Sequence, residues 1–162
     1  MEIRTLGFIG LGVMGGAMCA NLTRRSDLPV VVFDAVPDAL DRAVDVGGER
    51  AADIAEVARR ADVVFLSLPS IVQVEEVVEQ LIAGDEKPQV IVDMSTSDVD
   101  RTRALGERTG AAGVMLIDAP VARLRQAAID GTLLITVGAT DEAFATVLPF
   151  LSTMGSDVVH AG

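Results

Sequence analysis

Three glycines near the N-terminus are spaced in a pattern that can bind phosphate groups. They lie in Gly10-Leu11-Gly12-Val13-Met14-Gly15, a G-x-G-x-x-G sequence between an apolar run and a stretch of helical period. In that setting Gly10 permits a tight turn, Gly12 lets the backbone approach a pyrophosphate, and Gly15 lets helix and strand pack closely. The N–H groups and dipole of the helix N-terminus favour the negative charge. The alternative is that these glycines serve packing alone.

An acidic residue after the next apolar run supports the same interpretation. Asp34 lies 19 residues after Gly15, close to the spacing expected for an acid that binds the adenosine ribose. Its carboxylate would accept hydrogen bonds from the ribose hydroxyls and repel a 2′-phosphate, and the following residues, 35–37, supply no arginine. The sequence therefore predicts NAD rather than NADP as the cofactor. The alternative role for Asp34 is an ordinary strand-end or capping residue.

Apolar runs alternate with stretches of helical period, which predicts an α/β fold with a doubly wound, Rossmann-type, mainly parallel sheet and helices on both faces. The predicted strands are Ile3–Ile9, Val30–Phe33, Glu49–Ala51, Val63–Leu68, Val90–Met94, Val114–Ile117, Leu133–Val137 and Asp157–His160. The predicted helices are Met14–Arg24, Pro37–Asp45, Ile54–Arg60, Ile71–Ile82, Asp98–Thr109 and Asp141–Met154, the last bent at Pro149. We expect β-α-β-α order throughout the chain.

Composition limits the classes of partner. The formal net charge of −11 repels nucleic-acid backbones and anionic lipids, and 3% aromatic residues leave little for base stacking, so we expect neither partner. A single cysteine cannot form an internal disulfide, and one cysteine with one histidine argues against a structural zinc site, so we predict no metal. Glycines dilute the apolar N-terminal stretch, which argues against a signal peptide and favours a cytoplasmic location.

Several segments resemble one enzyme family. The stretch from Gly7 to Met18 resembles the opening of the β-hydroxyacid dehydrogenases, which include 3-hydroxyisobutyrate dehydrogenase and relatives of 6-phosphogluconate dehydrogenase. The similarity runs over essentially the whole chain. Further matches in order and spacing are Ser67-Leu68-Pro69, Asp93-Met94-Ser95-Thr96-Ser97, Asp118-Ala119-Pro120-Val121 and Gly131-Thr132-Leu133.

The resemblance implies roles for residues at the carboxyl ends of the strands, where doubly wound sheets bind ligands. Leu68 and Pro69 would line the cofactor, unless they only form a turn. Ser95 and Thr96 would offer hydroxyl and N–H groups to an amide or a carboxylate of cofactor or substrate, unless they only cap the next helix. The predicted substrate contacts are Ser95, Pro120, Val121, Ala122 and Arg123.

One loop departs from the family pattern. The family continues Asp-Ala-Pro-Val with Ser-Gly-Gly, whereas this chain has Ala122-Arg123-Leu124-Arg125. Arg123 would either grip an anionic group through its guanidinium or be a solvated arginine at a helix start. The departure leaves the substrate open, and imine- or aldehyde-reducing members of the family are an alternative.

The resemblance implies a catalytic lysine on a long helix after the nucleotide-binding domain. The single lysine of this chain, Lys87, lies in a turn before a strand, on the edge away from the cofactor. His160 and Cys19 are expected to be structural, and Asp118 to fix its loop. We therefore expect residues 1–162 to be the cofactor domain of a longer, homo-oligomeric enzyme for a small anionic hydroxy or oxo acid. The isolated chain should bind NAD without turnover, and a non-catalytic dinucleotide-binding module is the other alternative.

Overall fold

The computed structural model describes residues 1–96 and 98–162. Its strands are β1 (Leu6–Ile9), β2 (Val30–Phe33), β3 (Glu49–Arg50), β4 (Val63–Leu66), β5 (Val90–Asp93), β6 (Met115–Asp118), β7 (Val121–Ala122), β8 (Leu133–Val137) and β9 (Gly155–His160). Its helices are α1 (Val13–Arg25), α2 (Pro37–Asp45), α3 (Ile54–Arg60), α4 (Ile71–Ile82), α5 (Val99–Ala111), α6 (Arg125–Asp130) and α7 (Asp141–Leu151).

The main sheet has six parallel strands in the order β3-β2-β1-β4-β5-β6. This is the order of a doubly wound dinucleotide-binding fold, so the predicted Rossmann-type class is confirmed. The most buried strands of this sheet are β1, β2, β4 and β5. They are almost entirely apolar on both faces because helices cover both sides of the sheet. The strand order reverses at β1, because β2 and β3 lie on one side of it and β4, β5 and β6 on the other, and in such sheets ligands bind in the crevice at that point.

Alternate residues of the strands fill two separate cores. Phe8, Val32 and Phe65 face the side covered by α1, α2 and α7, where Met18 and Leu151 are also buried. Ile9, Val31, Val64 and Leu66 face the opposite side, where α3, α4 and α5 contribute an apolar cluster consisting of Val57, Val74, Val78, Leu81 and Leu105. The period-two alternation within each strand thus holds helices on both faces of one rigid sheet, whose carboxyl edge carries the candidate site.

The expected β-α-β-α order is wrong after β6. No helix separates β6 from β7, and β7 pairs antiparallel with β8, which pairs parallel with β9 in a second, three-stranded sheet. The two sheets meet where the Gly138 N–H donates to the Asp118 carbonyl oxygen (2.8 Å). The sequence interpretation missed β7 and gave no bounds for α6, whose start it offered only as an alternative at Arg123, because two and six residues are too few to show a period.

Four strands, β1, β3, β4 and β5, are shorter than predicted, and β1 and β4 lose the most residues because side chains take hydrogen bonds that a neighbouring strand would otherwise supply. At the start of β1, the N–H groups of Arg4 and Thr5 donate to the Asp62 carboxylate (2.8 and 3.1 Å). At the end of β4, the Leu68 N–H donates to the Ser95 hydroxyl (2.8 Å). Both segments therefore leave the sheet at defined positions.

Candidate functional site

The glycine turn between β1 and α1 uses its three glycines differently. A Cβ on Gly10 would lie 2.1 Å from the Ser67 carbonyl oxygen, and this residue has a φ of +97°. A Cβ on Gly15 would lie 2.0 Å from the Gly10 carbonyl oxygen. A Cβ on Gly12, in contrast, would meet nothing within 4 Å. Gly10 and Gly15 are thus required by packing, whereas the space beside Gly12 is open to a ligand.

The N-terminus of α1 is left without a side-chain cap. Its N-cap, Gly12, has no side chain, and its first turn contains no acidic residue. Four other helices have side-chain caps, supplied by Asp53, Ser70, Asp98 and Thr140, whereas α2 and α6 lack one as α1 does. A group that satisfies the open N–H groups of α1 therefore has to come from outside the turn, and the helix dipole favours an anion. This arrangement fits the pyrophosphate of a dinucleotide.

The other residues of the turn divide between core and surface. The side chain of Leu11 is 2% exposed and belongs to the core, so this residue can offer a ligand only its backbone. Met14 is half-buried against the same core, whereas Val13 is 65% exposed at the first position of α1. Cofactor contact by these three residues stays a prediction.

The carboxylate of Asp34 is fixed beside this turn. One oxygen accepts from the Leu11 N–H (2.6 Å) and the other from the Val36 N–H (2.8 Å). The residue follows β2 and is half-buried, so its carboxylate is tied to the glycine turn and to the start of the next loop. Each oxygen has a second acceptor site, which leaves the carboxylate able to bind two hydroxyl groups as well.

Ser95 and Thr96 are adjacent in the chain but differently placed. Ser95 is 4% exposed, and its hydroxyl accepts from the Leu68 N–H, whereas Thr96 is exposed. Leu68 is half-buried and Pro69 exposed, beyond the end of β4. Ser95 therefore joins the loop after β5 to the loop after β4, and Thr96 is the hydroxyl residue of the pair open to a ligand. Ser97, the last residue of the family-like segment Asp93–Ser97, lies outside the described residues.

Two carboxylates occupy one half of the carboxyl edge. Register places the last residues of five strands side by side, in the spatial order Phe33, Ile9, Leu66, Asp93 and Asp118. Asp93 is 1% exposed. Burial raises its pKa; hydrogen bonds from the Ser95 N–H and side chain oppose that rise, and the neighbouring Asp118 charge adds to it. The sequence analysis named Asp93 as part of a segment that resembles the family but gave it no role of its own, although a carboxyl group at the end of a buried apolar strand was a visible signal.

The predicted substrate residues surround the passage from the first sheet to the second. Pro120 and Val121 are half-buried, and Ala122 and Arg123 are exposed. The Pro120 carbonyl oxygen accepts from the Thr136 N–H (3.2 Å), and Val121 pairs with Ile135, so the loop is anchored on β8. The structure therefore brings this segment to the edge that carries Asp118.

The other titratable candidates lie in structural positions. Cys19 is fully buried, and burial raises its pKa to about 12, so the thiol is protonated at neutral pH. The His160 ring stacks on Phe144 with a centroid distance of 4.4 Å and hydrogen-bonds the Ala139 carbonyl oxygen (2.6 Å). Lys87 precedes β5, at the amino edge of the sheet. The structural roles expected for these side chains agree with this geometry.

Among the described residues, no group of three or more His, Cys, Asp or Glu side chains could hold a metal ion. Within the same residues, no helix is both long and apolar enough to cross a membrane. A cytoplasmic location stays a prediction.

Comparison with known proteins identifies the family. The family described as the NAD binding domain of 6-phosphogluconate dehydrogenase matches residues 5–162. The chain belongs to this family. Because the match covers nearly the whole chain, the glycine turn, Asp34 and the carboxyl-edge loops can be interpreted as parts of one NAD-binding domain. The assignment supports a nicotinamide dinucleotide as the ligand.

Individual relatives agree with the family. The mitochondrial 3-hydroxyisobutyrate dehydrogenase of Mus musculus is 34% identical over 160 residues, a match that covers 97% of this chain and 48% of the mouse protein. The structure of Mycobacterium tuberculosis 3-hydroxyisobutyrate dehydrogenase with L-serine is 30% identical with a TM-score of 0.93, covering 99% of this chain and 55% of that one. The NAD-binding domain thus spans about half the length of these relatives.

The same fold also occurs in an imine reductase. That of Pseudomonas sp. has a TM-score of 0.88 at 18% identity, covering 99% of this chain and 56% of that one. At that identity the likeness concerns the fold alone. The resemblance to β-hydroxyacid dehydrogenases noted from the sequence motifs is confirmed by the family match and by the named relatives.

Arg123 is the residue at which this NAD-binding domain departs most clearly from the glycines of the family pattern. Its φ is +88°, a left-handed conformation that favours glycine. Its guanidinium donates to the Thr132 carbonyl oxygen (2.7 Å) and the Ser156 hydroxyl (3.3 Å), and forms an ion pair with Asp157. The side chain therefore ties the loop to β8 and β9, and α6 begins later, at Arg125. Contact between Arg123 and substrate stays a prediction.

We expect Arg123→Gly to be more stable than Arg123→Ala by about 1 kcal/mol, because both lose the ion pair but only alanine keeps the left-handed strain. Urea unfolding of the two variants measures this difference. The matched control is Arg125 in the helix α6, where the order should reverse because glycine is the poorer helix former. Equal stability of the two Arg123 variants would contradict a strained loop.

Proposed function

We propose that residues 1–162 form the cofactor domain of an NAD-dependent β-hydroxyacid dehydrogenase. The observation that carries this proposal is the uncapped start of α1 at Gly12, with the Asp34 carboxylate 2.6 Å from the Leu11 nitrogen of the same turn. The N–H groups of the first helical turn would bind the pyrophosphate, and Asp34 the adenosine ribose. When bound, the nicotinamide ring supplies or accepts the hydride.

The charge around Asp34 supports NAD over NADP. A 2′-phosphate would lie against this carboxylate, and the next four residues, 35–38, contain no basic side chain and a second acid, Asp38. The carboxylate is held by two backbone N–H groups, so it cannot turn away without leaving both unpaired. NADPH binding would therefore combine charge repulsion with the loss of the hydrogen bond from the 2′-hydroxyl.

The substrate class that we propose is a small 3-hydroxy acid. The mouse and mycobacterial relatives are named 3-hydroxyisobutyrate dehydrogenases, and the mycobacterial structure contains L-serine. 3-Hydroxyisobutyrate and L-serine both carry a hydroxyl group on C3 and a carboxylate on C1. The exposed Thr96, with Pro120, Val121 and Ala122, would form the part of the substrate site on this domain. Arg123 would have to leave Asp157 before it could bind the substrate carboxylate.

The altered loop favours a second candidate reaction. Ala122-Arg123-Leu124 replaces the family's Ser-Gly-Gly, whose backbone donors hold a substrate acid group, and Leu124 is 83% exposed. A loop that offers apolar surface in place of backbone donors suits a less polar substrate, such as an imine or an aldehyde. Reduction of a cyclic imine rather than oxidation of a 3-hydroxy acid by the whole enzyme would support this candidate.

The proton donor, in our proposal, belongs to a helical domain that follows this one in the complete, homo-oligomeric enzyme. The chain spans 48% of the mouse relative, and Lys87 lies at the opposite edge of the sheet from the glycine turn. Residues 1–162 would therefore bind and orient the cofactor and form one wall of the substrate site.

Calorimetric titration of this chain with NADH and NADPH tests the proposal. We expect NADH to bind at least about tenfold more tightly, because NADPH loses a charge-assisted hydrogen bond and gains repulsion. With NAD and either 3-hydroxyisobutyrate or L-serine, the chain alone should form no NADH. Absence of binding would overturn the domain assignment, and ordinary enzyme rates would overturn the position of the proton donor.

A further inference from the structure

A hydrogen-bonded chain links the buried end of β5 to the loop after β4. The Leu68 N–H donates to the Ser95 hydroxyl (2.8 Å), and the Ser95 side chain lies next to the Asp93 carboxyl group, whose pKa it lowers. The Ser95 N–H also donates to Asp93 (2.9 Å). Asp93 and Ser95 are 1% and 4% exposed. This link crosses from one strand to its neighbour beneath the exposed Pro69 and Thr96.

The chemistry of the three groups gives the link a direction. Both bonds run from a backbone N–H toward Asp93: Leu68 donates to the Ser95 hydroxyl oxygen, and Ser95 donates to the Asp93 carboxyl group. The Leu68 N–H cannot bond to a neighbouring strand because β4 has ended at Leu66. Asp93 thereby holds the serine whose hydroxyl binds the Leu68 backbone.

The position of Asp93 makes this arrangement costly. The strand-end residues of β1, β2 and β4 in the same row are Ile9, Phe33 and Leu66, all apolar. Burial and the neighbouring Asp118 charge disfavour the ionised form of Asp93. A residue that served only to form a turn would not need a buried carboxyl group. The glycine turn lies at β1, so the acid is on the side of the sheet toward which the nicotinamide half of a dinucleotide would extend.

We propose that Asp93 is a positioning residue, which acts through the Ser95 hydroxyl to hold Leu68 and Pro69 against the nicotinamide half of the cofactor. This inference rests on the proposed function, because it presupposes a dinucleotide bound at the glycine turn. Asp93 itself does not touch the ligand. The adenosine half is bound at Gly12 and Asp34, so it should be insensitive to Asp93.

Two ligands separate the halves of the cofactor: NADH, and ADP-ribose, which lacks the nicotinamide ring. For Ser95→Ala we expect NADH affinity to fall about tenfold, the effect of one unmade buried hydrogen bond, while ADP-ribose affinity changes less than about twofold. Asp93→Asn should act in the same direction. Ser95→Thr, which keeps the hydroxyl, should restore NADH binding to within about threefold of the unsubstituted chain.

The double variant Asp93→Asn/Ser95→Ala distinguishes a relay from two independent structural effects. If Asp93 acts through Ser95, the double variant binds NADH no more weakly than Ser95→Ala; independent effects would multiply instead. Hydrogen exchange of the Leu68 amide in Asp93→Asn gives a measure that needs no ligand, and faster exchange is expected. Multiplying effects, equal losses for both ligands, or unchanged Leu68 exchange would overturn the relay. If the unsubstituted chain binds neither ligand, the proposed function itself fails.

Discussion

Asp34→Ala is expected to weaken NADH binding by about 10- to 150-fold, corresponding to one charge-assisted hydrogen bond of about 1.5–3 kcal/mol. The carboxylate is already oriented by the Leu11 and Val36 N–H groups, so a ribose would meet a fixed acceptor. The loss should be smaller for NADPH, whose 2′-phosphate no longer meets a like charge. Calorimetry with both cofactors measures the two changes and their ratio.

Asp38→Ala is the matched control for the charge change. Asp38 is an exposed acid in the first turn of α2, four residues from Asp34, and its replacement alters net charge by the same amount. It should leave NADH affinity within about twofold, since screened surface charges contribute little. Equal losses in the two variants would attribute the effect to net charge and remove the ribose role of Asp34.

A double variant is expected to exchange the cofactor preference from NADH to NADPH. Asp34→Ser with Ala35→Arg removes the repelling carboxylate and adds a guanidinium that can bind a phosphate in bidentate geometry. We expect NADPH to become the tighter ligand. A variant that folds, judged by urea unfolding, yet still prefers NADH would locate the ribose away from this loop.

The sequence predicted the parts of the fold whose elements are long or buried. The runs that form β2 and β8 were predicted with the observed bounds, because each is a short, largely apolar run that ends at a turn residue. The glycine turn was predictable because its pattern combines with the adjacent strand, helix and acid. Each of those features would be uninformative alone.

Features that depend on tertiary contacts were beyond the sequence. Arg123 was expected either to bind an anion or to be solvated at a helix start, and neither expectation included Asp157, 34 residues away in the chain. Likewise, Ser95 and Thr96 were predicted as an equivalent pair, and only the partner at Leu68 distinguishes the buried hydroxyl from the exposed one. Side-chain bonds between distant loops leave no period in the sequence.

The three glycines of the turn provide the second large prediction, because packing separates their roles. Gly12→Ala should lower the free energy of unfolding by about 1 kcal/mol at most, because alanine is a poorer N-cap than glycine but the new methyl group enters open space at a φ of −71°. The same methyl group would occupy the space that a pyrophosphate needs, so NADH affinity should fall at least about tenfold. Gly15→Ala should instead destabilise the fold by about 1–3 kcal/mol, since its methyl group would overlap the Gly10 carbonyl oxygen.

Gly106→Ala is the matched control for adding a methyl group in open space. Gly106 lies within α5, and a Cβ there also meets nothing within 4 Å. The variant should gain about 0.4–1 kcal/mol of stability through helix propensity and bind NADH unchanged. Neither Gly12→Ala nor Gly106→Ala would then disrupt the fold, and only Gly12→Ala would lose NADH binding. Gly12 and Gly15 would differ in whether the ligand or the fold is affected. If Gly12→Ala binds NADH as tightly as Gly106→Ala does, the pyrophosphate does not lie at this turn, and the proposed cofactor site is wrong.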